Sequence, residues 1–96
     1  MKLIFCPECH DIFKLSTKEV RECDCGKCKG KYVDNLNAVY NDGIPLGILN
    51  NKLGMAIANQ PTAGYGQNFD AFVIAKNVSS MIKTDNFDQI TTEDFE

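Results

Sequence analysis

The sequence predicts an α+β fold in which a cysteine-pinned N-terminal unit of short strands merges with a small antiparallel β-sheet and one short helix. Three observations predict it. All five cysteines fall in the first 28 of 96 residues, as Cys6-Pro7-Glu8-Cys9 and Cys23-Asp24-Cys25-Gly26-Lys27-Cys28. The apolar residues elsewhere come mostly in short runs punctuated by Gly, Pro, Asn and Asp, the pattern of brief strands. One window, residues 50–60, instead spaces its apolar residues by three and four.

Taken in order, residues 1–5 are apolar and end at a Cys-Pro turn, and residues 11–15 roughly alternate, so the two read as strands flanking a knuckle. Residues 20–23 are expected to return beside them, which completes a first unit of residues 1–30. Residues 31–83 supply the sheet and helix of the same single domain. Residues 32–40 read as a strand with a turn available at Asp34-Asn35, and Asn41-Asp42-Gly43 as a hairpin turn. Ile44, Leu46 and Ile48 share one face of the next strand. Pro45 and Gly47 on the other face suggest a sheet edge, where a missing donor is tolerated. Asn50 is the expected N-cap of a helix running to Gln60 with Leu53, Ala56 and Ile57 as its apolar stripe, and Pro61 ends it. Residues 62–68 read as a flexible loop, and residues 69–75 as the best strand, apolar on both faces beyond Asp70. Residues 84–96 read as a flexible acidic tail.

An odd cysteine count argues against a closed disulfide framework. Cys6 and Pro7 arrive before a leader's apolar stretch develops, so a reducing, cytoplasmic setting is expected, where clustered cysteines bind metal more often than they pair. Zinc takes four thiolates tetrahedrally, and two cysteines close together on a tight turn can both point at one ion. Cys-x2-Cys, a gap of thirteen or fifteen residues and a second close pair match that requirement. Five cysteines compete for four places. Cys25 with Cys28 gives a symmetric pair of knuckles, whereas Cys23 with Cys25 puts Gly26 directly after the second ligand, where a knuckle needs a small residue so that amides can turn toward sulfur. Gly26 favours Cys6, Cys9, Cys23 and Cys25 around one structural zinc ion, with Cys28 as the alternative to Cys23. Cys28 would otherwise be an unpaired thiol on the rim. His10, next to Cys9, reads as an exposed turn residue. Iron is the competing metal, but the second Cys-Pro knuckle and aromatic-rich core of rubredoxins are missing, which favours zinc.

The stretch Cys6-Pro7-Glu8-Cys9 with Cys23-Asp24-Cys25-Gly26 resembles a zinc ribbon of the rubredoxin-like class. The longer arrangement runs through Tyr32-x-Asp34-x-x-Asn37-Ala38-Val39-Tyr40, Ile44-Pro45-Leu46-Gly47, Ala56-Ile57-x-Asn59-Gln60-Pro61 and Phe69-x-Ala71-Phe72-Val73-Ile74. It is similar to short uncharacterised proteins of bacteria and their phages, over about residues 1–76. The resemblance implies zinc, a Cys-x-Cys-Gly second knuckle without a cysteine at the place of Cys28, and a phage or prophage source. It implies no activity.

The formal charge is −3, and five of the thirteen acidic residues lie after Lys83 with no base among them. Four thiolates and one divalent ion would move that charge to about −5, which does not suggest an overall nucleic-acid binder. The first functional expectation is therefore a protein-interaction module, one candidate role being that of a phage factor acting on a bacterial host or defence protein. It would dock through an exposed strand edge, the Gly64-Tyr65-Gly66 loop or the acidic segment, where Phe87, Ile90 and Phe95 interleave with carboxylates. The alternative is a nucleic-acid-binding or transcription-associated ribbon using Arg21, Lys27, Lys29 and Lys31 as a phosphate-binding rim. An enzyme is not expected: four cysteines close the zinc shell, His-Glu-x-x-His is absent, and the glycines form no phosphate loop. The apolar runs are too short to span a bilayer, so no membrane partner is expected. Oligomeric state is left open by the residues.

Overall fold

The computed structural model describes residues 1–95, and the first knuckle is the turn of a β-hairpin in it. Strand β1 (Lys2–Phe5) pairs antiparallel with β2 (Ile12–Lys14), with Ile4 opposite Phe13. These two side chains are buried while Ile12 and Lys14 face solvent, so the alternation in the sequence is the alternation of the strands. The second knuckle makes a second hairpin, between β3 (Arg21–Glu22) and β4 (Lys29–Tyr32). Residues 20–23 therefore do not return to the first hairpin as expected. The knuckle folds the chain back on itself, with the Cys23 amide donating to Cys28 O at 3.0 Å, so that Arg21 and Glu22 meet Gly30 and Lys29.

The expected strand over residues 32–40 is two elements. The Asp34 carboxylate accepts the amides of Leu36 and Asn37, both at 2.8 Å, and Asn37 Nδ2 at 2.9 Å. This Asx-type turn separates β4 from β5 (Ala38–Tyr40), which then pair antiparallel. The amide of Asn37, then that of Leu36, hold the Asp34 carboxyl well below the usual carboxylate range. Asn41-Asp42-Gly43 is no hairpin turn: it carries the chain from β5 into a different sheet, where β6 (Ile44–Ile48) pairs with β1. Asn41 stays attached behind it, its Oδ1 accepting the Lys29 amide at 2.7 Å.

The fold is α+β, with two four-stranded sheets of order β2-β1-β6-β7 and β3-β4-β5-β8 and one helix. Two expectations about β6 are overturned. It lies inside its sheet, between β1 and β7 (Ala71–Val73), and its buried residues are Pro45 and Gly47 rather than Ile44, Leu46 and Ile48. The central position is compatible with proline because of where the absent donor points. Ile74 N donates to Pro45 O at 2.9 Å, so Pro45 presents its ring nitrogen toward the end of β7, and the ladder stops there.

Helix α1 (Asn50–Ala58) starts after an extended Leu49. Asn50 is its first residue and not its cap; Asn50 Oδ1 accepts the N-terminal ammonium group at 3.0 Å. The expected apolar stripe is barely used. Ala56 is buried and Leu53 half-buried, but Ile57 is 64% exposed. Strand β7 is an exposed edge rather than a strand covered on both faces, and Ile74 just beyond it is the residue that enters the core. Strand β8 (Met81–Lys83), absent from the sequence reading, pairs in parallel with β5.

Residues 84–95 contain two short 3-10 turns, Phe87–Gln89 and Thr92–Phe95. Thr92 Oγ1 donates to Asp34 Oδ2 at 3.1 Å. Glu96, the last carboxylate of the segment read as a tail, lies outside the described residues. One hydrophobic cluster draws on both sheets, through Ile4 and Phe13 from the first and Ala38, Tyr40 and Met81 from the second. Cys6, Cys23 and Cys28 belong to it. Among the described residues no helix is long and apolar enough to cross a membrane.

Candidate metal centre

Each cysteine pair is delivered by a hairpin. Cys6 follows β1 directly, and Cys9 sits on the turn before β2. Cys23 follows β3, and Cys25 sits on the turn before β4. The amide of His10 donates to Cys6 O at 2.8 Å and that of Gly26 to Cys23 O at 3.0 Å. His10 and Gly26, each directly after the second cysteine of its pair, both have left-handed backbone, with φ of 62° and 78°. Gly26 adopts that conformation without strain, and His10 occupies it with its ring stacked on Phe5, centroids 5.7 Å apart. The two turns are thus alike at the position that distinguishes Cys23 from Cys28 in the sequence.

The sulfurs of Cys6, Cys9, Cys23 and Cys25 all lie within 4.8 Å of one another. Cys23 and Cys25 are 3.5 Å apart and Cys6 and Cys25 3.7 Å. A tetrahedral ion with bonds of about 2.3 Å to sulfur separates its ligands by about 3.8 Å, so the four residues fit such a site. They can hold a metal ion. Cys6 and Cys23 are buried, Cys9 is half-buried and Cys25 exposed, so the centre lies at the rim of the core with one ligand facing solvent. Burial works to raise the Cys23 thiol, but the Cys28 amide and the neighbouring thiols outweigh it and hold the group at about 6.

Cys28 is outside this set. It closes the second hairpin opposite Cys23, accepting the Cys23 amide on its carbonyl at 3.0 Å and donating its own amide to Cys23 Sγ at 3.4 Å. Its side chain is fully buried, not on the rim, and burial with the adjoining Cys6 thiol pushes it up to about 12. Such a group behaves as a small apolar core residue. Cys28→Ala is accordingly expected to retain one metal ion per chain at a cost of roughly 1 kcal/mol in stability. Cys23→Ala should lose the ion, and metal analysis of the two purified variants distinguishes them. The opposite pattern would place Cys28 in the site and remove Cys23 from it.

Two polar links join the knuckles and had no clear signal in the sequence beyond opposite charges beside the cysteines. Lys27 Nζ meets Glu8 Oε1 at 3.0 Å, and the Asp24 amide donates to Asp11 Oδ2 at 3.1 Å. Both are exposed and contribute orientation more than stability. Lys29 lies 3.9 Å from Glu22. Lys27 and Lys29 are thus each beside a carboxylate, while Lys31 is half-buried near Val33, Phe87 and Ile90 around a shallow groove. Tyr65 is far from the cysteines in sequence and fully exposed, and Phe87 and Phe95 are half-buried. The structure does not gather these six into one site.

A second concave surface lies between α1 and residues 60–69. It is an open groove of about 430 Å³ lined by Leu53, Ala56, Ile57, Pro61, Tyr65 and Phe69 among others. Gly64 and Gly66 have φ of 87° and 115° and let this loop turn twice around Tyr65.

Fold and site together define a small α+β protein with a four-cysteine centre held between two hairpins, an arrangement compatible with a zinc ribbon. Compared with models of protein families, with curated proteins and with solved structures, the chain finds no match.

Proposed function

We propose that this chain is a zinc-stapled protein-interaction module of a bacterial or phage-infected cell, in which zinc is structural and the groove beside α1 receives the partner. Four thiolates supply every position of a tetrahedral shell and leave none for water or substrate, which supports a structural over a catalytic ion. The cellular setting rests on the resemblance to short bacterial and phage proteins.

The observation that carries the interaction reading is the gathering of exposed apolar side chains around one groove. Of its lining, Ile57 is 64% exposed, Phe69 is 43% exposed, and Tyr65 stands fully in solvent. Scattered apolar residues are ordinary on a surface, but a concave cluster rimmed by the amides of Gln60 and Gln67 is the form of a protein-binding site. The occupant it fits is a polypeptide that inserts an apolar side chain and satisfies those amides with its backbone. The basic rim supports the nucleic-acid alternative less well, since Lys27 and Lys29 are each beside a carboxylate.

The test is affinity capture from bacterial lysate with the zinc-loaded chain, with and without nuclease, beside an Ile57→Asp/Tyr65→Asp variant. A stoichiometric protein that survives nuclease and is lost with the variant is the expected result. Retention that disappears with nuclease and with Lys27→Glu/Lys29→Glu/Lys31→Glu would overturn it in favour of nucleic acid.

A further inference from the structure

We propose that the outer edge of β7 pairs with the same edge of a second copy of this chain, antiparallel and centred on Val73. This surface is separate from the groove beside α1 and does not depend on it.

The direction of the backbone groups comes first. Ile74 N donates to Pro45 O and Leu49 N donates to Asp70 O, so Asp70, Phe72 and Ile74 turn their amides and carbonyls toward β6. Groups alternate along a strand, so Ala71 and Val73 turn theirs outward; β7 ends at Val73, and Lys76 begins the turn that follows. Among the described residues no strand lies on that side. All three residues of β7 are exposed, with Phe72 at 48% and Val73 at 68%. An apolar, unpaired edge invites another strand, and folded proteins usually blunt one with charge or proline. Here residues 71–75 contain neither, and the nearest charges are Asp70 and Lys76 at the two ends.

Those charges determine what fits. When Asp70-Ala71-Phe72-Val73-Ile74-Ala75-Lys76 is laid antiparallel against itself about Val73, Val73 faces Val73 with both sets of backbone groups outward. That is the geometry of a hydrogen-bonded pair. Ala71 then faces Ala75, Phe72 faces Ile74, and Asp70 comes beside the turn that carries Lys76 at each end. Centring the pair on Phe72 instead also satisfies the backbone, but it sets Asp70 against Ile74 and Lys76 against Asn68, discarding both charge pairs. Neither Asp70 nor Lys76 has an ion-pair partner among the described residues. A segment that is complementary to its own reverse fits a two-fold pair, which closes at two copies and leaves no β7 edge for a third. The result would be one sheet running through both copies, β2-β1-β6-β7 continued by its mate.

Sedimentation equilibrium of the zinc-loaded full chain, from low micromolar to millimolar concentration, tests this. A monomer–dimer equilibrium is expected. Val73→Pro removes the central outward donor without touching the β6 ladder and should leave a monomer at every concentration, with unchanged metal content and circular dichroism. Asp70→Lys alone and Lys76→Asp alone should each weaken association about tenfold, because the symmetry repeats each unfavourable pair. The double exchange Asp70→Lys/Lys76→Asp should restore it. A wild-type chain that stays monomeric, a dimer indifferent to Val73→Pro, or a double exchange that fails to recover would each overturn the proposal. So would a monomeric chain whose captured protein partner is lost with Val73→Pro, since the edge would then serve a different protein. The groove variant Ile57→Asp/Tyr65→Asp should dimerise normally, which keeps this outcome apart from that of the interaction reading.

Discussion

Removing the metal, by chelation or by Cys6→Ser, is expected to unfold the whole chain and not only its N-terminal third. The two knuckles belong to different sheets, so an ion held by the four cysteines would join β1–β2 to β3–β4, and two of the four are core residues. Structural zinc contributes about 10–16 kcal/mol of apparent binding energy at neutral pH, against about 5–15 kcal/mol for the net stability of a domain. A core with few large, fully buried side chains, Ile4, Leu15 and Val39 among them, offers little to replace it. The expected result is loss of the cooperative thermal transition and of amide protection in both sheets, including β5 and β8, restored when zinc is added back to the wild-type chain. If Cys6→Ser kept its melting transition and its β5 protection, the ion would not be structural.

Gly43→Ala is expected to destabilise the protein by about 2–4 kcal/mol, combining left-handed backbone strain with overpacking. Gly43 has a φ of 100°, and an added methyl group would sit 2.6 Å from Ile4 Cγ2, 2.9 Å from Phe5 O and 3.1 Å from Cys28 Sγ. None of these can withdraw: Ile4 and Cys28 are fully buried and Phe5 O is backbone. Gly64→Ala is the control, because its φ is 87° but nothing lies within 4 Å of the new carbon. It should cost only the backbone term, about 1 kcal/mol. Urea denaturation with a shared slope compares the two, and equal midpoints would show that the contact beneath Gly43 yields.

The four-cysteine cluster was legible in the sequence because its chemistry is local. Cysteine spacing and the residue after each pair determine where sulfur can point, and Gly26 distinguishes Cys23 from Cys28 before any long-range contact is known. Strands around the first knuckle were legible for the same reason, since Ile4 and Phe13 alternate with exposed neighbours. The sheet plan was not. Pro45 reads as an edge residue by propensity, yet it is central, because only the register with β7 shows that its missing donor meets the end of a ladder. Residues 69–75 read as doubly covered from their apolarity alone, while the covering of a strand depends on which distant elements pack over its two faces. Helix α1 shows the converse: its apolar stripe was correct as a pattern, but Ile57 faces an open groove in place of a core. Strand β8 gave no signal in three residues, Met81-Ile82-Lys83, and exists because β5 offers it a partner.

That parallel pairing orders events in time. The four clustered cysteines are all in place in the chain by residue 25, and both hairpins by residue 32, so a metal can be captured before the last strands are made. The edge of β5 must wait until residue 83, across β6, α1 and β7, before its last neighbour arrives. Long-range parallel pairing is the slow kind. A nascent chain with a metal already in place would therefore carry an open β5 edge until residue 83 is added, which makes metal capture an early decision and the seating of β8 the late one.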